Sequence, residues 1–163
     1  MKMVDDQKET RVRMAEFYIG KTPEIITTVG LGSCVGITIY DPKTKIGGLI
    51  HIMLPENKKG MKKAKYADTG IPLMIKKMEE YGARRSKFIA KIAGGAHMFN
   101  IESENSSIKI GKRNIKKVKK ILKENKIKIK GEDTGENYGR TMKFFTETGE
   151  VMISSYKKDT IYL

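Results

Sequence analysis

The chain has 163 residues and carries 33 lysines and arginines against 19 aspartates and glutamates, a net charge of +14. That length fits one domain able to bury a real core, and the single cysteine excludes an intrachain disulfide framework. No apolar run approaches the ~20 residues that span a bilayer, and the charged opening MKMVDDQKET lacks the apolar stretch of a secretion signal, so a cytoplasmic protein without membrane insertion is expected.

In chain order, residues 1–10 are polar and untethered and are expected to be disordered, leaving residues 11–163 as one domain. Residues 14–19 read as a first strand. Ile25-Ile26-Thr27-Thr28-Val29 is β-branched throughout and reads as a second. Gly30-Leu31-Gly32-Ser33 breaks it, and residues 35–40 alternate as a third strand. Asp41-Pro42-Lys43-Thr44 has the residue order of a turn and leads into a fourth strand over residues 46–53. A basic loop follows over residues 57–65. Asp68 or Thr69 is placed to cap a helix running to about Glu80 and stopped by Gly82, with Ile71, Met74, Ile75 and Met78 at helical spacing. A short strand covers residues 88–93 and a second helix residues 111–125. Further strands are expected over 127–130, 141–146 and 151–155, the last two joined by the turn Glu147-Thr148-Gly149-Glu150. Many strands with two interspersed helices predict an α+β, or layered α/β, domain.

The charge is concentrated in two segments, net +7 over residues 56–92 and net +10 over residues 109–130. Such a field draws anionic partners, whether nucleic acid, anionic lipid or an acidic protein, or it is a solvated lysine face. Lysine outnumbers arginine 27 to 6, which argues against base or phosphate readout, so no nucleic-acid partner is expected.

The only cysteine lies in Gly30-Leu31-Gly32-Ser33-Cys34-Val35-Gly36. Glycines permit a bend whose successive N–H groups can hold an oxyanion, and Gly32 and Ser33 are the candidates for that cradle. Ser33 alternatively serves only the turn, and a lone buried cysteine is commonly inert. If Pro42 and Lys43 form a two-residue hairpin loop, Cys34 opposes His51, one of two histidines, across the ladder. An imidazole there can take the thiol proton, and in its cationic form would lower the thiol pKa. Thr28, ending the preceding strand, has a hydroxyl able to orient the imidazole; Thr27 has the same chemistry on the opposite face. His97 is the other candidate base, although a polar loop residue is the simpler reading. One cysteine and two separated histidines do not make a zinc pattern, and no nucleotide-binding loop occurs.

These residues carry a resemblance. Gly30-Leu31-Gly32-Ser33-Cys34, His51-Ile52-Met53-Leu54-Pro55, Lys65-Tyr66-Ala67-Asp68-Thr69, Lys91-Ile92-Ala93-Gly94-Gly95-Ala96 with Met98-Phe99, Gly111-Lys112-Arg113-Asn114 and Glu132-Asp133-Thr134-Gly135 together resemble the chemoreceptor glutamine deamidase family, CheD. The resemblance implies hydrolysis of receptor glutamine side chains to glutamate and ammonia through a cysteine thioester, with Cys34, His51 and Thr28 as the catalytic trio and no cofactor. It implies a single-domain layered sandwich of mixed and antiparallel sheets with about two main helices, similar to the catalytic domain of cytotoxic necrotizing factor toxins. The implied partners are the cytoplasmic helices of chemoreceptors and the phosphatase CheC, and receptor methylester hydrolysis is a further activity linked to the family. The family's usual Gly-Gly-Asn after Asp-Thr is Gly135-Glu136-Asn137 here. The rival readings are a basic binding module with an inert Cys34, and a Cys-His amidase acting on another substrate.

Overall fold

The computed structural model describes residues 7–60, 62–98 and 109–163. Three strands come first, β1 (Glu9–Arg11), β2 (Phe17–Lys21) and β3 (Ile25–Leu31), and then the hairpin of β4 (Val35–Asp41) and β5 (Ile46–Ile52). Helix α1 (Ala67–Glu80), β6 (Ile89–Gly94) and helix α2 (Ile110–Glu124) follow, and β7 (Lys128–Thr134), β8 (Arg140–Phe145), β9 (Val151–Ser154) and β10 (Ile161–Tyr162) complete the chain. The strands form two five-stranded sheets, in the orders β1-β3-β8-β9-β10 and β2-β5-β4-β6-β7. Both are mixed, because β1 runs parallel to β3 and β6 parallel to β7 while the remaining pairs are antiparallel. Among the described residues no helix is long and apolar enough to cross a membrane.

The central strands β4 and β5 are buried along their whole length, which requires cover on both faces. On one face Val35, Ile37, Ile39, Ile50 and Ile52 pack with Ile71, Met74 and Met78 of α1 and Val118 and Leu122 of α2. On the other face Tyr40 and Leu49 meet Met142, Phe144, Val151 and Ile153 from the opposing sheet, and Tyr40 stands edge-on to Phe144 at 5.8 Å between ring centroids. The result is three layers, helices on sheet on sheet, in one small α+β domain as the alternation of elements predicts. Each large apolar side chain taken fully from water contributes about 1.5–3 kcal/mol, so two cores flanking one sheet hold β4 and β5 rigidly. Those are the strands on which the candidate site is built.

Several local expectations are corrected. Glu9 and Thr10 belong to β1, paired with Ile25 and Ile26, because the edge of β3 offers backbone partners to this polar stretch; residues 1–6 of the segment expected to be disordered lie outside the described residues. The first long strand is displaced from residues 14–19 to β2, since Ala15 adopts a left-handed φ of 63° that ends any extended run. Helix α1 begins at Ala67, with Tyr66 at the cap and no side-chain capping bond. Asp68 instead accepts the Asn57 N–H at 2.9 Å, and Thr69 donates to the Lys63 carbonyl at 2.7 Å, so both tie down the preceding basic loop. The hairpin loop has four residues, not two, because Asp41 pairs with Ile46. The Asp41 carboxylate accepts the Lys43 N–H at 2.8 Å and the Thr44 hydroxyl at 2.9 Å, and Lys45 closes the turn at a φ of 58°.

Candidate active site

The site lies between the two sheets, at the end where β3 hands over to β4. Thr28 and Leu31 are three residues apart, so a regular strand would point them to opposite faces. The β3–β8 register shifts between them, with Val29 and Gly30 as the bulge, and both side chains are thereby fully buried. Gly30 has a φ of 72° with open space around its α-carbon, so it is the backbone conformation, not crowding, that asks for glycine there.

The four-residue hairpin loop changes the pairing of Cys34 and His51. His51 opposes Gly36, and the ladder ends at Val35 and Ile52. The expected register is therefore wrong by two residues. A shift of two keeps the face, so Cys34 and His51 remain on the side toward the opposing sheet as diagonal neighbours rather than as a direct pair.

Thr28 reaches across the layer. Its hydroxyl lies 2.7 Å from His51 Nδ1 and donates to the Val12 carbonyl at 2.7 Å. A hydroxyl carries one hydrogen, and a carbonyl only accepts. With that hydrogen committed to Val12, the 2.7 Å contact requires His51 Nδ1 to be the donor. This assigns the tautomer from donor arithmetic: hydrogen on Nδ1, lone pair on Nε2. His51 is fully buried, and Nε2 has no hydrogen-bond partner among the described residues. Burial lowers the His51 pKa to about 4, so the ring is neutral at physiological pH.

Cys34 is 8% exposed. Burial pushes its thiol pKa above the ordinary value, against a smaller opposite pull from its own backbone N–H. This reverses the expectation of a thiol lowered by a neighbouring imidazolium: with His51 neutral, the resting pair is thiol and imidazole. The backbone around Cys34 is held from one side, since Gly95 N–H donates to the Cys34 carbonyl and Ala96 N–H to the Gly32 carbonyl, each at 2.8 Å. Gly32 N–H is itself engaged with the Gly30 carbonyl at 3.0 Å, which removes it from the expected oxyanion cradle. Among the described residues the N–H groups of Ser33 and Cys34 have no backbone acceptor. A cleft of about 650 Å³ opens beside this loop, bordered by Gly30, Met98, Tyr138, Arg140, Ser154 and Tyr156.

The remaining candidates separate clearly. Thr27 is half-buried and pairs with Lys143, away from His51. His97 is exposed and is held by its backbone N–H to the Glu136 carbonyl at 2.8 Å; it takes no part in the Thr28–His51 contact. Three groups escaped the sequence reading. Val12 supplies the carbonyl behind Thr28. Asn114 lies fully buried against the Cys34 loop, with Nδ2 2.9 Å from the Ser33 carbonyl and 3.0 Å from the Met53 carbonyl. Arg140 is buried opposite Leu31, bonded to Asp133 at 2.8 Å and to the Gly135 carbonyl at 2.9 Å. Only the motif containing Asn114 carried a signal, and no local pattern shows what it touches. Among the described residues no group of three or more His, Cys, Asp or Glu is placed to hold a metal ion.

Residues 53–155 match the family described as CheD chemotactic sensory transduction. The chain belongs to the CheD family. A relative from Caldanaerobacter subterraneus subsp. tengcongensis is 44% identical over 161 residues, covering 97% of this chain and 99% of the relative. One from Lachnoclostridium phytofermentans is 46% identical over 151 residues, covering 91% and 94%. One from Clostridium botulinum (strain Hall) is 49% identical over 153 residues, covering 92% and 94%. Each carries the name "Probable chemoreceptor glutamine deamidase CheD". Membership of the CheD family thus extends over nearly the whole chain, including the segment before residue 53 that contains Thr28, Cys34 and His51.

Proposed function

We propose that this CheD-family chain hydrolyses glutamine side chains of chemoreceptors to glutamate and ammonia, with Cys34 as nucleophile, His51 as general base and acid, and Thr28 as the group that orients His51. The observation that carries this reading is the buried, unpartnered His51 Nε2, whose lone pair is set by the Thr28 and Val12 contacts. A buried polar nitrogen without a partner costs stability, and a base awaiting a proton gives it a use. The names of the relatives support the same substrate class.

The chemistry follows from the resting protonation states. Since the thiol is held protonated and the imidazole neutral, Nε2 takes the Sγ proton as sulfur attacks the carboxamide carbon. The two groups are not hydrogen-bonded in the resting structure; the bond between them forms with substrate in place, as catalytic hydrogen bonds commonly tighten only in the complex. The N–H groups of Ser33 and Cys34 stabilise the oxyanion. The imidazolium keeps its Nδ1–H on Thr28 and returns the Nε2 proton to the departing nitrogen. Ammonia leaves and a thioester remains. Water, deprotonated by Nε2, then attacks the thioester, and the expelled thiolate regains the proton, leaving glutamate and free thiol. No step calls for a cofactor. The cytoplasmic helices of chemoreceptors are the substrate in this reading, and the phosphatase CheC is the expected protein partner.

The test is mass spectrometry of peptides from a purified receptor cytoplasmic domain after incubation with the protein. Replacement of NH2 by OH at defined glutamines is expected, with ammonia released in equal amount. Receptor peptides left unchanged, with no ammonia, would overturn the assignment.

A further inference from the structure

Beyond Val35 and Ile52 the β4–β5 ladder stops, and the two strands part on the side of Cys34. Met53 and Leu54 turn their N–H groups to the Lys65 carbonyl at 2.8 and 3.1 Å, while the Cys34 carbonyl turns to Gly95 N–H. The split leaves two carbonyls facing inward, that of Ser33, directly before the nucleophile, and that of Met53, two residues after the base. Asn114 stands in this gap, fully buried, and one Nδ2 group donates to both at 2.9 and 3.0 Å.

The helix that carries Asn114 is seated on the same bend that holds Cys34. Gly111 touches the Gly95–Ala96 backbone so closely that a β-carbon on it would lie 2.5 Å from the Ala96 carbonyl oxygen and 2.6 Å from that of Gly95. Gly95 in turn lies under Ile115 and donates its N–H to the Cys34 carbonyl. The first turn of α2, the Gly94-Gly95 bend and the Cys34 loop are therefore one packed unit. Both targets of Nδ2 are acceptors only, so the side chain must present two donor hydrogens from one atom. Asparagine does this in the space available, and an isosteric aspartate cannot.

We infer that Asn114 is a positioning residue, a carboxamide clip that holds the Cys34 loop against the end of the His51 strand where the β-ladder no longer does so. The inference rests on the deamidase reading of Cys34 and His51. It assigns a task to the Gly111-Lys112-Arg113-Asn114 motif, which the catalytic chemistry leaves without one. Losing the clip misplaces sulfur relative to Nε2 without touching the substrate, and a displacement of about 1 Å at reacting groups costs roughly 100-fold in rate.

The experiment compares deamidation kinetics of the receptor domain, and the rate of Cys34 alkylation by iodoacetamide, for the wild type, Asn114→Asp, Asn114→Gln, His51→Ala and the double variant Asn114→Asp/His51→Ala. Val118→Ala, a buried apolar truncation on the same helix, controls for general loosening. For Asn114→Asp, kcat is expected to fall by ~100-fold with KM little changed, whereas Val118→Ala lowers Tm and leaves the kcat of folded protein near wild type. Asn114→Gln keeps the donor but carries it one methylene further, and is expected to fold and still lose kcat; it decides the matter if Asn114→Asp does not fold. In alkylation, the double variant should be no slower than His51→Ala alone, because the clip acts through the Cys34–His51 relationship. Wild-type kcat in Asn114→Gln, a loss in Asn114→Asp no larger than in Val118→Ala, or additive effects in the double variant would each overturn the positioning role. His51→Ala separates the two levels: if it leaves deamidation intact, the assignment of His51 as the base fails and the clip with it; if it abolishes deamidation while the Asn114 variants do not, only the clip fails; and if the wild type itself releases no ammonia, the deamidase reading fails.

Discussion

The Thr28 hydroxyl sits 2.7 Å from His51 Nδ1 and donates at the same distance to the Val12 carbonyl, so a residue of one sheet sets the tautomer of a histidine in the other. Two substitutions separate the hydroxyl from the shape of the side chain. Thr28→Val keeps the volume and strands a buried Nδ1–H, which should cost about 1–3 kcal/mol in stability. It also frees the ring to exchange tautomers, and kcat should fall by roughly 10²-fold, at the low end of what general acid–base catalysis contributes. Thr28→Ser keeps both hydrogen bonds and should stay close to wild type in each respect. Denaturant unfolding and single-turnover ammonia release check the pair.

His51 also leaves a signature in the pH dependence of stability. Its folded pKa of about 4 lies below the ~6.5 of an unfolded chain. The unfolded state therefore binds a proton that the native state excludes. Stability from this group is complete above pH ~6.5 and is lost as pH falls toward the folded value, by up to about 3 kcal/mol. Tm followed downward from neutral pH should decline through this window in the wild type and decline less in His51→Asn. Identical profiles for the two proteins would mean that His51 is not buried neutral. The acid limb of kcat/KM should likewise fall well below pH 6.5.

Glu136 stands where the resemblance to the CheD family implies glycine, and its φ of 63° is one that glycine adopts at least cost. A β-carbon in the left-handed region costs about 1–2 kcal/mol, partly offset by the greater freedom of glycine in the unfolded chain. Glu136→Gly should therefore raise stability by about 0.5–1 kcal/mol. Gly135, with a φ of 80°, should show the reverse on Gly135→Ala. Thermal unfolding of both variants tests the account, and a destabilised Glu136→Gly would show that the side chain makes a contact worth more than the strain.

The lysine surface calls for a kinetic separation. Lys58, Arg113, Lys116, Lys117 and Lys120 border a hollow of about 600 Å³ beside Leu54 and Pro55, just past the His51 strand. If these charges dock an acidic receptor face, added salt should raise KM and leave kcat unchanged, and Lys116→Glu/Lys120→Glu should act in the same direction without salt. A KM indifferent to both would return the lysines to a solvated face.

Much of this architecture is legible in local sequence, and the failures share one cause. The β-branched run of β3, the alternation in β4 and the apolar spacing of both helices follow from periodicities that neighbouring residues impose on one another. The hairpin register does not, because a left-handed Lys45 and the capping Asp41 lengthen the turn by two residues. That error spared the site, since a two-residue slip preserves which face Cys34 and His51 share. Parity also separates Thr28 from Thr27 correctly, although it fails three residues later at Leu31, beyond the Val29–Gly30 bulge. The Val12 carbonyl, the Asn114 clip and the Arg140–Asp133 pair lie beyond any such rule. Each is a contact between distant segments that only the packed layers bring together, as is β1, too short to persist without the edge of β3.

The role of Cys34 as nucleophile is tested most directly by the Cys34→Ala variant, with ammonia release and glutamine-to-glutamate conversion measured together on a receptor cytoplasmic domain. Cys34 is 8% exposed, and removing one sulfur should leave the fold intact by circular dichroism and Tm. A loss of activity of about a thousandfold or more, as expected for deletion of a nucleophile, accords with thioester chemistry at Cys34. Conversion of the same glutamines at near wild-type rate by the folded Cys34→Ala protein would contradict it.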